Sequence, residues 1–323
     1  MSPKLERHLS LLATFVVLVA LYATASLLYP GFFSAGVLVN ILTDNAALGI
    51  TAVGLTLVIF SGGIDLSVGA VVGFTSIFVA TLVQQRGFHP LAASGLAVVA
   101  GAALGAGMGA TIHFFRQPPF LITLAGMFFM RGCAYWITTD SRPIEHPFFV
   151  ALTGFVAPLG GAFSLPTTAL ALLAVLAMGG TIAHYTRFGR NLLALGGSEA
   201  SALLMGLPIG RTKIGVYTLN GACAAVAGVV GTIYTGAGNP TLGLGLELDA
   251  IAVVVIGGTL LTGGRGHMLG TLLGVLIFGT IQSALLFDGR LNSAWIRIVV
   301  GLLLLTFILL QRFLVRGAMR RPE

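Results

Sequence analysis

Long apolar runs alternate along this chain with short polar breaks: "QQRGFHP", "FFRQPP", "DSRPIEHP", a polar stretch near 186–213, "GAGNPTLGLGLE", "GGRGH" and "FDGRLNS". Between the breaks the runs approach the roughly 20 residues that cross a bilayer as a helix. The pattern predicts about ten spans, near 9–29, 45–61, 66–84, 91–112, 119–138, 165–185, 214–235, 249–262, 268–287 and 294–311. Each span must satisfy its own backbone hydrogen bonds in lipid, so helices are expected throughout. The expected fold is all-α, a polytopic transmembrane helical bundle forming a single domain over 1–323.

Composition says the same. The 323 residues are 56% hydrophobic and only 8% charged, and mean hydropathy is +1.00. A soluble domain carries about 25% charged residues, so the natural solvent for this chain is a membrane. At the N-terminus, Lys4 and Arg7 precede the apolar run from Leu9 to Leu28, and "ATA" at Ala23 to Ala25 has the look of a cleavage site. A cleaved signal has an apolar core of about 7–15 residues. The longer run here favours a retained first span. Cys133 and Cys223 lie within apolar runs and read as small core residues, not as a disulfide.

An even span count puts both termini on one side. With the termini in the cytoplasm, that side holds Lys4, Arg7, Arg116, Arg187, Arg190, Arg211, Lys213, Arg265, Arg312, Arg316, Arg320 and Arg321, against Arg86, Arg142 and Arg290 outside. Retained basic residues mark the cytoplasmic face. The net charge of +7 therefore reflects topology, not a nucleic-acid partner.

Gly101, Gly105 and Gly109 repeat every fourth residue, which suits close helix approach. "SGGIDLSVGAVVG" (Ser61–Gly73) and "TGGRGHMLGTLLG" (Thr262–Gly274) share a hydroxyl, a glycine pair and two later glycines, a faint internal repeat. Charges inside spans are costly and usually functional. Arg131 and Arg297 read as pathway residues or as arginines snorkelling near helix ends. Asp65 reads as a capping aspartate ahead of "LSVG" and, less strongly, as a pathway residue. Asp44, Asn45, Asp65 and Asn239 are the polar residues at breaks where a passing solute would be met. No H-E-x-x-H, Cys/His cluster or G-x-S-x-G occurs, and the six histidines fall near span ends. The only lysines, Lys4 and Lys213, do not follow glycine, so a Walker A loop is absent.

The break near 186–213 has internal structure. Ser198 can cap a helix, Glu199 suits its positive end, and Gly206 followed by Pro208 ends it. Ala200, Leu203, Leu204 and Leu207 stand at i, i+3, i+4 and i+7 and form one apolar stripe. So short a helix is marginal alone, and helix-in-groove docking on a soluble partner would give its stripe a place. The weaker alternative is a helix lying on the lipid interface.

This segment resembles the coupling loop of ABC importer permeases, whose motif runs Glu-Ala-Ala and then glycine after a short gap. With "SGGIDLSVG", "PPFLITLAGMFFMRG" and "LELDAIAVVVIGGTLLTGGRG", the chain resembles the ribose-type sugar permeases from about Asn40 to Arg312. The tail "FDGRLNSAWIRIVVGLLLLTFILLQR" is most similar to permeases of galactofuranose importers. Glu199, Ala202 and Gly206 match the coupling motif by position, whereas Ser198 and Ser201 depart from it, at an asparagine and an alanine position respectively. The resemblance implies a bacterial inner-membrane subunit that moves a monosaccharide and binds no cofactor itself. ATP and magnesium would be used by a cytoplasmic ATP-binding subunit. The other implied partners are a second permease subunit, identical or different, and a periplasmic sugar-binding protein. "SGGID" partly matches the signature loop of ABC ATPases, but it stands between two spans with no nucleotide domain around it. Two rival classes are an intramembrane lipid-sugar enzyme, which would need acids or histidines around one cavity, and an energy-independent channel, which would have no use for a docking helix.

Overall fold

The structure is a computed structural model describing residues 3–160, 163–289, 295, 298–302 and 305–306. Arg297 and much of the predicted tenth span lie outside the described residues. The long helices are α1 (Pro3–Leu28), α4 (Val68–Arg86), α5 (Pro90–Phe114), α6 (Pro119–Ile137), α8 (Thr167–Tyr185), α11 (Ile209–Thr235) and α13 (Met268–Asp288). Shorter ones are α2 (Ala35–Asp44), α3 (Ala46–Phe60), α7 (Pro147–Gly154), α9 (Arg187–Gly197), α10 (Glu199–Leu204) and α12 (Leu246–Ile256). Two small antiparallel pairs, unforeseen in the sequence, complete the described chain. Strand β1 (Arg142–Pro143) pairs with β4 (Ala237–Gly238), and β2 (Val156–Gly160) with β3 (Phe163–Pro166).

Among the described residues seven helices are long and apolar enough to cross a membrane, and an eighth crossing results if α2 and α3 count as one span. These two meet at Asn45 with a bend of 58°. The expectation of ten helical spans is corrected at two places. The predicted 45–61 span is a 15-residue helix after a kink, and the predicted 249–262 span is a helix of 11 residues ending at Ile256. At 1.5 Å per residue the second is about 16 Å long, roughly half the hydrocarbon thickness. Its stop is local: Gly258, at φ +88°, takes a left-handed conformation that no continuing helix contains. Helix α3 stops in the same manner at Gly62, at φ +80°. The two halves of the faint repeat thus both follow a short buried helix and precede a long one.

Helix starts follow the side chains available. Ser34, Thr186 and Ser198 accept a backbone N–H at the starts of α2, α9 and α10. Histidines do the same in His-Pro pairs. The Nδ1 of His89 accepts from Leu91 at 3.3 Å and that of His146 from Phe148 at 3.2 Å, with Pro90 and Pro147 as first helical residues. His267 caps α13 through Leu269 at 3.1 Å. The expectation of interfacial histidines thus acquires a specific form in these three.

Helix α11 is the central post. It packs most extensively on α5, then on α3 and α4. A methyl group added at Gly101 would lie 2.6 Å from the Gly221 carbonyl oxygen, and one at Gly109 would lie 2.9 Å from the Ile214 Cα. The every-fourth-residue glycines therefore let two backbones touch, as expected for helices that associate in lipid by packing alone. Hydroxyl pairs tie other helices: Thr56 to Thr271 at 2.7 Å and Thr232 to Ser76 at 2.8 Å. Gly105→Ala would drive its methyl into the Tyr217 carbonyl, whereas Gly107→Ala points at open space. We expect the first to lose about 1–3 kcal/mol from overpacking and the second to be neutral, read as unfolding midpoints in detergent.

Candidate functional site

The bundle has two ends, which are defined by α3. At its N-terminal end a cavity of about 380 Å³ opens between α2, α3, α11, α12 and α13. Its polar lining includes Asp44, Asn45, Tyr234, Thr235, Asp249 and Gln282, beside the ring of Phe278. The kink builds much of it. Asn45 leaves helical geometry at φ −101°, ψ 14°, and its Nδ2 donates to the Ile41 carbonyl at 3.0 Å, so that the bend turns exposed Asp44 into the opening. The Tyr234 hydroxyl donates to Asp44 Oδ1 at 3.0 Å and fixes that carboxylate. Asp249 sits in the first turn of α12, where the positive helix end favours an anion. Carboxylates, amides and hydroxyls beside aromatic rings form a surface that can exchange hydrogen bonds with a polyhydroxylated solute.

Of the four residues expected along a pathway, Asp44 and Asn45 line this cavity together; Asp65 and Asn239 do not line it. Asp65 is fully buried between α4 and α11. Its Oδ1 accepts from the Ser67 N–H at 2.8 Å and the Ser67 hydroxyl at 2.7 Å, and its Oδ2 from Asn220 Nδ2 at 2.8 Å. Asp65 therefore organises the start of α4 and ties it to α11. Asn239 closes a turn, accepting from the Thr241 N–H at 2.8 Å and its hydroxyl at 2.7 Å. Arg131 is neither a cavity residue nor a snorkelling one. It donates to the Pro240 carbonyl at 2.7 Å and the Leu242 carbonyl at 3.3 Å, anchoring the turn-rich loop before α12.

The other end carries α10. Ser198 Oγ accepts from the Ser201 N–H at 3.2 Å, and Gly206, at φ +73°, ends the helix. The Lys213 ammonium donates to both Glu199 carboxylate oxygens at 2.7 and 2.8 Å. With Glu199 56% exposed this pair contributes little stability, but it joins α10 to α11. The apolar stripe differs from the sequence expectation. Ala202 is fully buried and seats α10 on the protein. Leu203 is 65%, Leu204 89% and Met205 64% exposed, while Ala200 is exposed and Leu207 only half so. Helical spacing foresaw an exposed apolar face but assigned Leu207 to it in place of Met205, because the chain turns after Leu204.

Sequence reasoning missed Tyr234, Asp249, Gln282 and Lys213. Gln282 is a lone amide in the apolar run 268–288, and Asp249 stands at the start of another run. Both were visible as polar residues, yet nothing local says that they face one cavity.

The chain matches the family described as branched-chain amino acid transport system / permease component over residues 37–308. Among similar proteins, the inner membrane ABC transporter permease protein YjfF of Escherichia coli K12 is 49% identical over 95% of this chain and 93% of its own. The fructose import permease protein FruG of Bifidobacterium longum is 36% identical over 96% and 92%, and the ribose import permease protein RbsC of Escherichia coli K12 is 37% identical over 92% of each. No solved structure matches. The fold and these matches define the class: a multi-pass inner-membrane transport component. The chain belongs to the family of branched-chain amino acid transport system permease components.

The two carboxylates, Asp65 and Asp44, differ in structural weight. Asp65→Ala removes three hydrogen bonds from a buried site and should cost about 2–4 kcal/mol. Asp44→Ala, on an exposed rim, should leave the unfolding midpoint unchanged in the same detergent assay.

Proposed function

We propose that this chain is the permease subunit of an ATP-driven importer and passes a monosaccharide, galactofuranose or a related sugar, across the inner membrane. A periplasmic binding protein delivers the sugar to the cavity at the Asp44 end. A cytoplasmic ATP-binding subunit, which uses ATP and magnesium, docks on α10, and a second permease subunit, identical or different, completes the path. The observation that carries this reading is the exposed apolar surface of Leu203, Leu204 and Met205 at the end of a capped helix outside the spanning bundle. Three consecutive large apolar side chains exposed at the end of one short helix suit a partner's groove.

Charge supports the orientation. Arg116, Arg187, Arg190, Arg211, Lys213 and Arg265 belong to the α10 end, and Arg86 and Arg142 to the opposite one, which supports a cytoplasmic α10 under the positive-inside rule. The import names of two relatives, for fructose and ribose, support a monosaccharide as cargo. The cavity suits such a cargo in size, since small-molecule sites span roughly 300–1,000 Å³. Asp44, Asn45, Asp249 and Gln282 would accept from and donate to sugar hydroxyls, with the Tyr234 and Phe278 rings against an apolar sugar face.

Leu203→Asp places a charge on a surface that becomes buried only on docking, at a cost of several kcal/mol. Yield and unfolding should be unchanged, while ATPase capture from detergent falls at least tenfold and sugar uptake is lost. Normal capture with normal uptake refutes docking at α10. Orientation is checked separately: Ser198→Cys should react with an impermeant thiol reagent only in inside-out vesicles, and Ser141→Cys only from outside.

A further inference from the structure

Three glycine pairs far apart in sequence, Gly62–Gly63, Gly196–Gly197 and Gly263–Gly264, converge at the α10 end of the bundle. The contacts are backbone against backbone. The Gly264 N–H donates to the Phe60 carbonyl at 3.0 Å, crossing from the loop after α12 to the last residue of α3. A methyl added at Gly263 would lie 2.7 Å from the Gly62 Cα and 3.1 Å from the Gly196 Cα. One added at Gly196 would run into the Phe60 carbonyl oxygen and lie 2.5 Å from the Gly264 nitrogen. The last turn of α9 is thus wedged against the end of α3 and the loop that follows α12, and α10 begins only two residues after Gly197.

The other ends of those short helices line the cavity, α3 through Ala46, Ala47 and Leu48 and α12 through Leu246 and Asp249. Between their ends the two helices share one buried cluster, in which Ala52, Leu55 and Ile59 pack with Val253, Val254 and Ile256. Such packing deforms little, so a push on Phe60 and the Gly263–Gly264 loop must move the cavity wall. We infer that this glycine junction transmits movement of the docked α10 to the solute cavity, and that Gly196 is its positioning residue, acting through the Phe60 carbonyl and the Gly264 N–H. The inference rests on the docking of the ATPase at α10 proposed above.

Gly196 and Gly197 both lie in regular helix, so alanine at either changes only the space occupied. The methyl at Gly197 meets nothing within 4 Å, which makes it the matched control. The test uses the whole complex, reconstituted with ATPase, second permease subunit and binding protein, carrying wild type, Gly196→Ala or Gly197→Ala. All three should retain the ATPase and hydrolyse ATP at the basal rate. Gly196→Ala should lose at least tenfold of the stimulation by sugar-loaded binding protein and transport correspondingly less sugar per ATP, whereas Gly197→Ala should match wild type. Full retention with unchanged coupling in Gly196→Ala overturns the junction and leaves docking intact; failure of wild type to retain the ATPase overturns both. Should Gly196→Ala not fold, hydrogen exchange on the wild-type complex decides. On adding ATP, amides at 61–64 and 262–265 should change protection while those at 101–109 in α5 do not, and identical exchange with and without ATP refutes the inference.

Discussion

Lipid offers no hydrogen bonds, so any backbone that leaves helical geometry at membrane depth must be satisfied by the protein itself. Two such departures, after Phe60 and after Ile256, organise the molecule. The first is closed by hydrogen bonds from the Gly63 N–H and the Ser61 hydroxyl to the Val58 carbonyl, by the Tyr217 hydroxyl to Ile64, and by Asp65 at the start of α4. At the second, Thr14 of α1 donates to the Ile256 carbonyl at 3.2 Å, and His184 and His267 accept the first N–H groups of α13. Each closure draws on a distant helix, which is why α1, α8 and α11 sit where they do.

Close approach follows from the same solvent. With no hydrophobic effect between helices in hydrocarbon, contact area and hydroxyl pairs hold the bundle together. Glycine is dense where backbones touch, along α5 and α11 and at the junction of the two breaks. A straight helix in place of α2–α3 would seal the space that the kink at Asn45 leaves open.

The cavity and α10 lie at opposite ends of α3, and the coupling we infer between them runs through the glycine junction. Family membership accounts for the kind of work such a unit performs, transport across the inner membrane. The geometry adds a polar-lined cavity, an exposed apolar face at α10 and the packed short helices between them.

Much of this was legible in the chain. The apolar runs placed α1, α4, α5, α6, α8, α11 and α13, because a bilayer-length helix is a local property of consecutive residues. The capped helix at Ser198 to Gly206 was legible for the same reason, since caps and stops are read within one turn. The glycines of α5 announced a close neighbour without saying which. Hydropathy could not separate a span from a short buried helix, because protein interior and lipid select the same side chains; α12 was overextended on that account. Nor could it tell a buried aspartate from one that lines a cavity: Asp44 and Asp65 are both carboxylates at breaks, and only the arrival of Asn220 or Tyr234 distinguishes them. What consecutive residues decide among themselves, helix, cap and span, the sequence determined alone. What depends on residues more than a hundred positions apart meeting at one point, the cavity and the glycine junction, only the tertiary structure decided, because helix packing in lipid brings together groups whose spacing along the chain carries no trace of it.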